Sequence, residues 1–434
     1  MARRLDIRAP DFAARFDALV AGKRDEAQDV EREVAAIVEN VRARGDAALI
    51  EYTERFDGVS LTPARLRIGA GEIAEATARC SKELRAALVL AAERIAAYHE
   101  RQRPHEAFYT DAAGVGLGER WTALASVGLY VPGGRAAYPS SVLMNAIPAK
   151  VAGVARLVMV VPSPKGVLSD AVLAAAEIAG IDEIYRVGGA QAVAALAYGT
   201  ASIVPVDKIV GPGNAYVAAA KRQVFGRVGI DLIAGPSEVL ILADGANDAD
   251  WIAVDLLAQA EHDPAAQAVL ITDDAGLAER VEEAVRFRLK TLPRSTVAGA
   301  SWDAHGAVIV VERLEQAPPL IDRLAPEHLE LAIDEPEAFA RRIRNAGAIF
   351  LGRHTPEAIG DYVAGTNHVL PTDRSARFAS GLSVLDFMKR TELVRCDAES
   401  LRRIGPAAVT LAEAEGLSAH ALSIAVRLNI PRGD

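Results

Sequence analysis

An α/β protein built as two tandem blocks is what the sequence predicts, on three observations. From about residue 125 onward, short apolar strands alternate with helical segments. That is the texture of βαβ units, with parallel strands and right-handed crossovers. The alternation breaks before residue 237 and then resumes, so there are two such blocks. Hydrophobic residues make up 51% of the chain and aromatics only 5%, so Ala, Val, Leu and Ile must carry the core. Small aliphatic cores suit helices packed on buried parallel sheets. At 434 residues the chain is too long for one ordinary core and implies two or three domains.

Taken in order, residues 10–105 read as helical. Glu31 to Phe56 repeats apolar residues at helical spacing, and Glu83 to Tyr98 is Ala/Leu-rich and amphipathic. The first block opens with a strand at 126–131 and the turn Pro132-Gly-Gly134. A helix (143–154), a strand (156–161), a helix (168–179), a strand (183–187) and a helix from 190 follow. Lys208-Ile-Val210 then leads into Gly211-Pro-Gly-Asn214 and another helix. The second block has strands at 239–242, 267–272, 307–311 and 347–351, with helices at 248–261 and 275–289. From about 382 the tail is helical again, over 398–415 and 417–427. No low-complexity linker separates these pieces, so they are expected to pack tightly.

The net charge of −10, with no basic block, argues against a nucleic-acid partner, whose binders need a positive face. The start MARRLDIRAPDF has no apolar stretch after its arginines and does not read as a signal peptide. No apolar run approaches the ~18 residues needed to span a bilayer. Cys80 and Cys396 offer neither a disulfide framework nor a CxxC metal pattern. A cytoplasmic location is therefore expected.

The most informative polar segment is Asp255-Leu-Leu-Ala-Gln-Ala-Glu-His-Asp263. On a helix, Gln259 and His262 share a face, so an amide oxygen and an imidazole could reach one metal ion. A solvated helix terminus would look the same. A second polar block, Ile230-Asp-Leu-Ile-Ala-Gly-Pro-Ser-Glu238, feeds the next strand, and the two together look like one wall of a site. Gly114-Val-Gly-Leu-Gly118 lacks the spacing and the preceding strand of a dinucleotide fingerprint, and no Walker A motif occurs. Three strand-to-helix turns are better candidates: Tyr130-Val-Pro-Gly-Gly134, Gly188-Gly-Ala-Gln191 and Gly211-Pro-Gly-Asn214. Ligands of open α/β sheets bind beyond the carboxyl ends of strands, where glycine permits close approach. Tight turns with no ligand remain the alternative.

Three further clusters pair acids with imidazoles. Ala325-Pro-Glu-His328 sets a carboxylate beside an imidazole, a pairing suited to proton transfer and water activation. Gly360-Asp-Tyr-Val-Ala-Gly-Thr-Asn-His368 reads as a glycine-punctuated loop with an acid and an imidazole. Glu413-Ala-Glu-Gly-Leu-Ser-Ala-His420 places Glu415 and His420 at a helix break. The other histidines, His99, His105, His305 and His354, read as structural or solvated.

With these segments in order, the chain resembles the histidinol dehydrogenase family over nearly its whole length. The most specific matches are IDLIAGPSEVLILAD with DLLAQAEHD, YVPGGRAAYPSSVLMNAIPA, GGAQAVAALAYGT, GPGNAYVAAAK, APEHLE, GDYVAGTNHVLPT and EGLSAH. The resemblance implies oxidation of L-histidinol to L-histidine through the aldehyde, with two NAD⁺ and one Zn²⁺ per site, in a homodimer. It implies Gln259, His262, Asp361 and His420 as metal ligands. Glu327 and His328 would be the acid–base pair, with Glu327 activating water and His328 taking protons. Ser237, His368 and Glu415 would join them around the substrate, while Tyr130, Gln191 and Asn214 would contact the cofactor. The implied fold is two intertwined incomplete Rossmann-like domains with parallel sheets and small helical N- and C-terminal pieces. On that pattern 1–24 is a helical arm, 25–129 and 237–381 form a metal and substrate domain, 130–236 binds NAD, and 382–434 is a dimerisation tail. Glu415 and His420 would then act in the partner's site. Three alternatives stay open: a related dehydrogenase of another small polar alcohol, a zinc hydrolase using Glu327, and a non-catalytic zinc-stabilised dimer. Zn²⁺ and Mn²⁺ both tolerate such N/O ligands.

Overall fold

The computed structural model describes residues 2–22, 28–133, 138–181 and 183–429. Two all-parallel sheets organise them. The five-stranded sheet runs in the order Glu183–Tyr185, Arg156–Val160, Ser126–Tyr130, Lys208–Val210, Gly229–Ile230. In chain order that is 3-2-1-4-5. The six-stranded sheet runs Arg3–Asp6, Ala307–Val310, Gln267–Thr272, Glu238–Ala243, His328–Ala332, Ala348–Leu351. Its last five strands repeat the 3-2-1-4-5 order, and the N-terminal strand adds an edge.

The strands are apolar nearly throughout because both faces are covered. Every residue of Glu238–Ala243 and Gln267–Thr272 is buried. Alternation divides them between two cores. Val239, Ile241 and Leu270 pack under the helix Ala249–Ala260, while Leu240, Leu242, Val269 and Ile271 face Leu5, Phe16 and Ile321. The five-stranded sheet is sandwiched in the same way.

The N-terminal helices correct the expected domain grouping. Gln28–Arg44 and Asp46–Asp57 pack on Gly189–Tyr198, and Ala70–Arg79 and Lys82–Glu100 pack on Asp170–Ile178 and Pro139–Ala152. They therefore cover the five-stranded sheet, not the 237–381 block to which 25–129 was assigned. The reason lies in their apolar stripes: Val34, Ile37, Val41 and Leu49 bury against the Ala-rich face of Gly189–Tyr198. The segment expected to run helically from 31 to 56 is divided at Gly45, whose φ of +56° ends the first helix.

Six strands escape the sequence pattern, among them Ala107–Thr110, Gly116–Ala123 and Gly229–Ile230. Arg3–Asp6 lies in what was expected to be a purely helical arm. Met388–Arg395, at the start of the expected helical tail, pairs antiparallel with Gly116–Ala123, which pairs in turn with Ala107–Thr110. Gly114 sits in that hairpin's turn at φ +83°, with Asp111 accepting the amides of Ala113 and Val115. His328–Ala332 is hidden by its polar residues, yet all five are buried. The tail helices Ala398–Ala414 and Ser418–Leu428 pack mainly on one another. Among the described residues no helix is long and apolar enough to cross a membrane.

Candidate active site

The acid–imidazole pair sits at the N-terminal edge of the six-stranded sheet. Glu327 precedes the strand His328–Ala332, and parallel pairing sets His328 opposite Val239. Glu238 holds both candidates with its backbone. Its amide donates to Glu327 Oε2 at 3.0 Å, and its carbonyl oxygen lies 3.0 Å from His328 Nδ1. A carbonyl only accepts, so Nδ1 carries the hydrogen and Nε2 keeps its lone pair. That Nε2 is buried without a hydrogen-bond partner among the described residues.

Burial dominates the electrostatics. It lowers the His328 imidazole to about 4, so the ring is neutral near pH 7. It raises Glu327 well above the usual carboxylate range, and the nearby charges of Glu238, Asp361 and Glu357 act in the same direction. His328 also feels the charge of His262.

A short helix, Glu357–Tyr362, carries Glu357 and Asp361 across the sheet to this pair. Glu357 Oε1 is 3.8 Å from His328 Nε2. His328, Glu357 and Asp361 each offer a ligand atom within 4.8 Å of the others. Burial, with Asp361's charge, pushes the Glu357 carboxyl up to about 8. The segment from Gly360 was expected to be a loop; instead Gly360, Asp361 and Tyr362 lie on this helix and the loop follows them. Glu357 was overlooked, although its i, i+4 spacing to Asp361 was a readable signal.

His368 closes the site from the other side. Its Nδ1 lies 3.1 Å from the Asp361 carbonyl oxygen, and its Nε2 is 3.4 Å from Ser141 Oγ. Ser141, also overlooked, belongs to the helix that follows the first strand of the five-stranded sheet. The C-terminal edge of one sheet thus meets the N-terminal edge of the other. His99 proves structural, buried between Gln102 and Asn367, the residue before His368.

Gln259 is fully buried on Ala249–Ala260, and neither its Oε1 nor its Nε2 is hydrogen-bonded among the described residues. His262 lies past the helix end, exposed, in the following turn. Ser237 is half-buried beside Glu238. Glu415 and His420 are exposed on the tail and lie outside the His328–Glu357–Asp361 cluster. A divalent cation fits this site on two grounds: an orphaned amide oxygen, and several carboxyls whose mutual repulsion it would offset.

The glycine turns converge at the C-terminal edge of the five-stranded sheet. A Cβ on Gly133 would come within 2.7 Å of Pro162, and one on Gly188 within 2.4 Å. Gly211, at φ +110°, would place its Cβ 2.2 Å from the Tyr130 carbonyl oxygen. Tyr130 is buried, and its hydroxyl accepts the Gly189 amide at 3.0 Å. Gln191 is buried, and its Oε1 has no partner among the described residues. Asn214 caps the helix Ala215–Val224 through Oδ1. Gly134 lies outside the described residues. A nucleotide fits here by bare backbone, an open amide and a helix N-terminus.

Fold and site together define an α/β enzyme with a buried acid–imidazole centre between two parallel sheets. A family model described as "Histidinol dehydrogenase" matches residues 21–428. The histidinol dehydrogenase of Rhodospirillum rubrum is 66% identical over 430 residues, covering 99% of each chain. That of Rhodopseudomonas palustris is 63% identical, covering 99% of this chain and all of the relative. The crystal structure of histidinol dehydrogenase from Elizabethkingia anophelis superposes with a TM-score of 0.94 at 36% identity, covering 99% of this chain and 98% of the other. The chain belongs to the histidinol dehydrogenase family and is an oxidoreductase.

Proposed function

We propose that this chain oxidises L-histidinol to L-histidine through the aldehyde, using NAD⁺ and a divalent zinc ion. The observation that carries the reading is the unpartnered Nε2 of His328, fixed beside Glu327 and facing the Asp361 carboxylate. When bound, NAD⁺ accepts a hydride in each oxidation and the cation orients the substrate's amine and imidazole. His328 Nε2 takes the hydroxyl proton of the alcohol, and later that of the aldehyde hydrate. Once a bound cation offsets the neighbouring carboxylates that hold its proton, Glu327 takes a proton from the water that adds to the aldehyde. Ser237 and His368 line the substrate on either side.

The proposed cation ligands are Gln259, His262, Asp361 and the partner subunit's His420, with the partner subunit's Glu415 accepting from the substrate imidazole. The exposure of both tail residues supports a role in another subunit. So do the bare apolar residues around them: Leu411 is 65% exposed and Val426 57%. A tail of this size has too little core to stand alone. Tyr130, Gln191 and Asn214 form the cofactor side. Because the Tyr130 hydroxyl is turned inward, its contribution falls to its backbone and to the shape of the turn.

NADH absorbance on mixing protein, histidinol and NAD⁺ tests the activity. Subunit mixing tests the shared site. His262→Ala and His420→Ala homodimers should each be nearly inactive. After co-refolding in equal amounts, half the dimers are mixed and each has one intact site, so roughly a quarter of wild-type activity should return. A mixture that stays dead despite demonstrated subunit exchange would rule out the shared arrangement.

A further inference from the structure

The helix Pro139–Ala152 carries a proline in its interior. Pro148 has no N–H to give, so the Met144 carbonyl oxygen, one turn back, loses its helical donor. Asn367, the residue before His368, supplies one: its Nδ2 donates to that oxygen at 2.7 Å. Ser141, whose Oγ lies 3.4 Å from His368 Nε2, stands three residues before Met144, on the same face of the helix. Two consecutive residues of one loop thus dock on adjacent turns of a helix that covers the five-stranded sheet.

An amide is what this position requires. Asn367 is buried, and its Oδ1 accepts the Val369 amide at 2.9 Å. Its Nδ2 also faces His99 Nε2 at 3.4 Å. His99 Nδ1 lies 2.7 Å from Gln102 Oε1, an acceptor, so Nδ1 carries the hydrogen and Nε2 accepts. Burial lowers the His99 imidazole below its ordinary value and keeps it uncharged near neutral pH. One Nδ2 with two hydrogens serves Met144 and His99 together. A carboxylate of the same shape would turn an oxygen toward both acceptors.

The rest of the loop is tied to the same side. Arg94, on the helix Lys82–Glu100 with His99, donates through Nε to the Val363 carbonyl and through Nη2 to the Ala364 carbonyl at 3.1 Å. Gly365, at φ +102°, runs against that helix: a Cβ there would lie 2.9 Å from the Arg94 carbonyl oxygen. Val369 is buried in the core that these helices form over the five-stranded sheet. Asp361, in contrast, belongs to a helix packed on His328–Ala332 and Ala249–Ala260. The chain crosses from one half of the molecule to the other between Asp361 and His368.

We propose that Asn367, assisted by Arg94, positions His368 for substrate binding, so that the five-stranded half sets one wall of a pocket whose other groups stand on the six-stranded half. This rests on the reading of His368 as a substrate-side residue. Both are positioning residues: each acts through His368.

Asn367→Asp keeps the shape and the Val369 contact and removes the donor. It should raise KM for histidinol about 10-fold, the equivalent of one lost buried hydrogen bond, and leave KM for NAD⁺ unchanged. Arg94→Gln, at an exposed side chain, should raise KM for histidinol by a smaller factor. The decisive measurement is a double-mutant cycle of each with His368→Gln. If both residues act through His368, neither substitution raises KM for histidinol further once His368 is replaced. A general loosening of the fold would instead add its full factor in that background. Full additivity in both cycles, or wild-type KM in both single variants, overturns the proposal. Should Asn367→Asp fail to fold, the Arg94→Gln cycle decides alone. If His368→Gln by itself leaves KM for histidinol unchanged, the substrate reading of His368 falls and this proposal with it.

Discussion

The two parallel sheets share a strand order but present their polar groups at opposite edges. In the five-stranded sheet, Tyr130 ends its strand and Gln191 and Asn214 lie beyond the C-terminal ends of theirs, where ligands of open α/β sheets ordinarily bind. In the six-stranded sheet, Ser237, Glu238, Glu327 and His328 lie at the N-terminal ends of their strands. One half obeys the usual rule and the other inverts it. The geometry resolves the contrast: the two edges face each other, joined where His368 meets Ser141. Reacting groups on one edge can then meet a cofactor on the other. The difference also divides the labour. The six-stranded edge gathers buried acids and imidazoles; the five-stranded edge offers bare backbone and amides, with the buried Lys221–Asp231 ion pair bracing the turn at Gly211.

If that division holds, the largest effects come from the six-stranded edge and appear in kcat. His328→Asn should slow both oxidations by ~10²–10⁴, the usual cost of losing a positioned base. Glu327→Gln should slow chiefly the aldehyde oxidation, where water must be activated. Supplying histidinol or histidinal separately distinguishes the two. The comparison breaks if either variant acts mainly through KM for NAD⁺, or if Glu327→Gln hurts alcohol oxidation more.

Tyr130→Phe should give an intermediate effect on the other edge. It strands the half-buried Gly189 amide without its acceptor, at a cost of about 1 kcal/mol in stability, and should raise KM for NAD⁺. Its pH dependence sharpens the test. Burial pushes the Tyr130 hydroxyl from 10.0 up to about 12, so the folded state holds this proton more tightly than the unfolded state. The associated stability is full below pH 10 and is lost as pH rises through about 12. By pH 11 wild type should have lost about 1.4 kcal/mol more than Tyr130→Phe, measured as urea midpoints. Parallel losses in the two proteins would show that the hydroxyl is not held as described.

Asn214→Ala should have the smallest effect. Removing an N-cap costs about 1 kcal/mol, and the helix Ala215–Val224 it caps is short. A modest rise in KM for NAD⁺ with kcat retained would place Asn214 on the cofactor side. A loss of kcat comparable to that of His328→Asn would erase the distinction between the edges.

Sequence alone determined most element types of both blocks, because buried parallel strands and their covering helices write strong local periods. Gln267–Thr272 was legible to the residue, and Ala398–Ala414 to within one. The Glu327–His328 pair and Asp361 were legible from their clusters. Strands without a clear apolar period were not: Arg3–Asp6 is too short, Met388–Arg395 is largely exposed, and His328–Ala332 buries an imidazole and a carboxyl. Tertiary structure decided which layer the N-terminal helices cover, since an apolar stripe specifies that it will be buried but not by which sheet. It also decided that Glu357 stands beside His328, that Ser141 reaches His368, and that Asp57 caps the strand ending at Val160. Those pairings join residues 29, 227 and 106 positions apart, and no local pattern encodes a contact across such separations. They exist because packed sheets bring strand ends and helix ends to common edges, and the depth of burial there raises the carboxyls of Glu327 and Glu357 and lowers the imidazoles of His328 and His368.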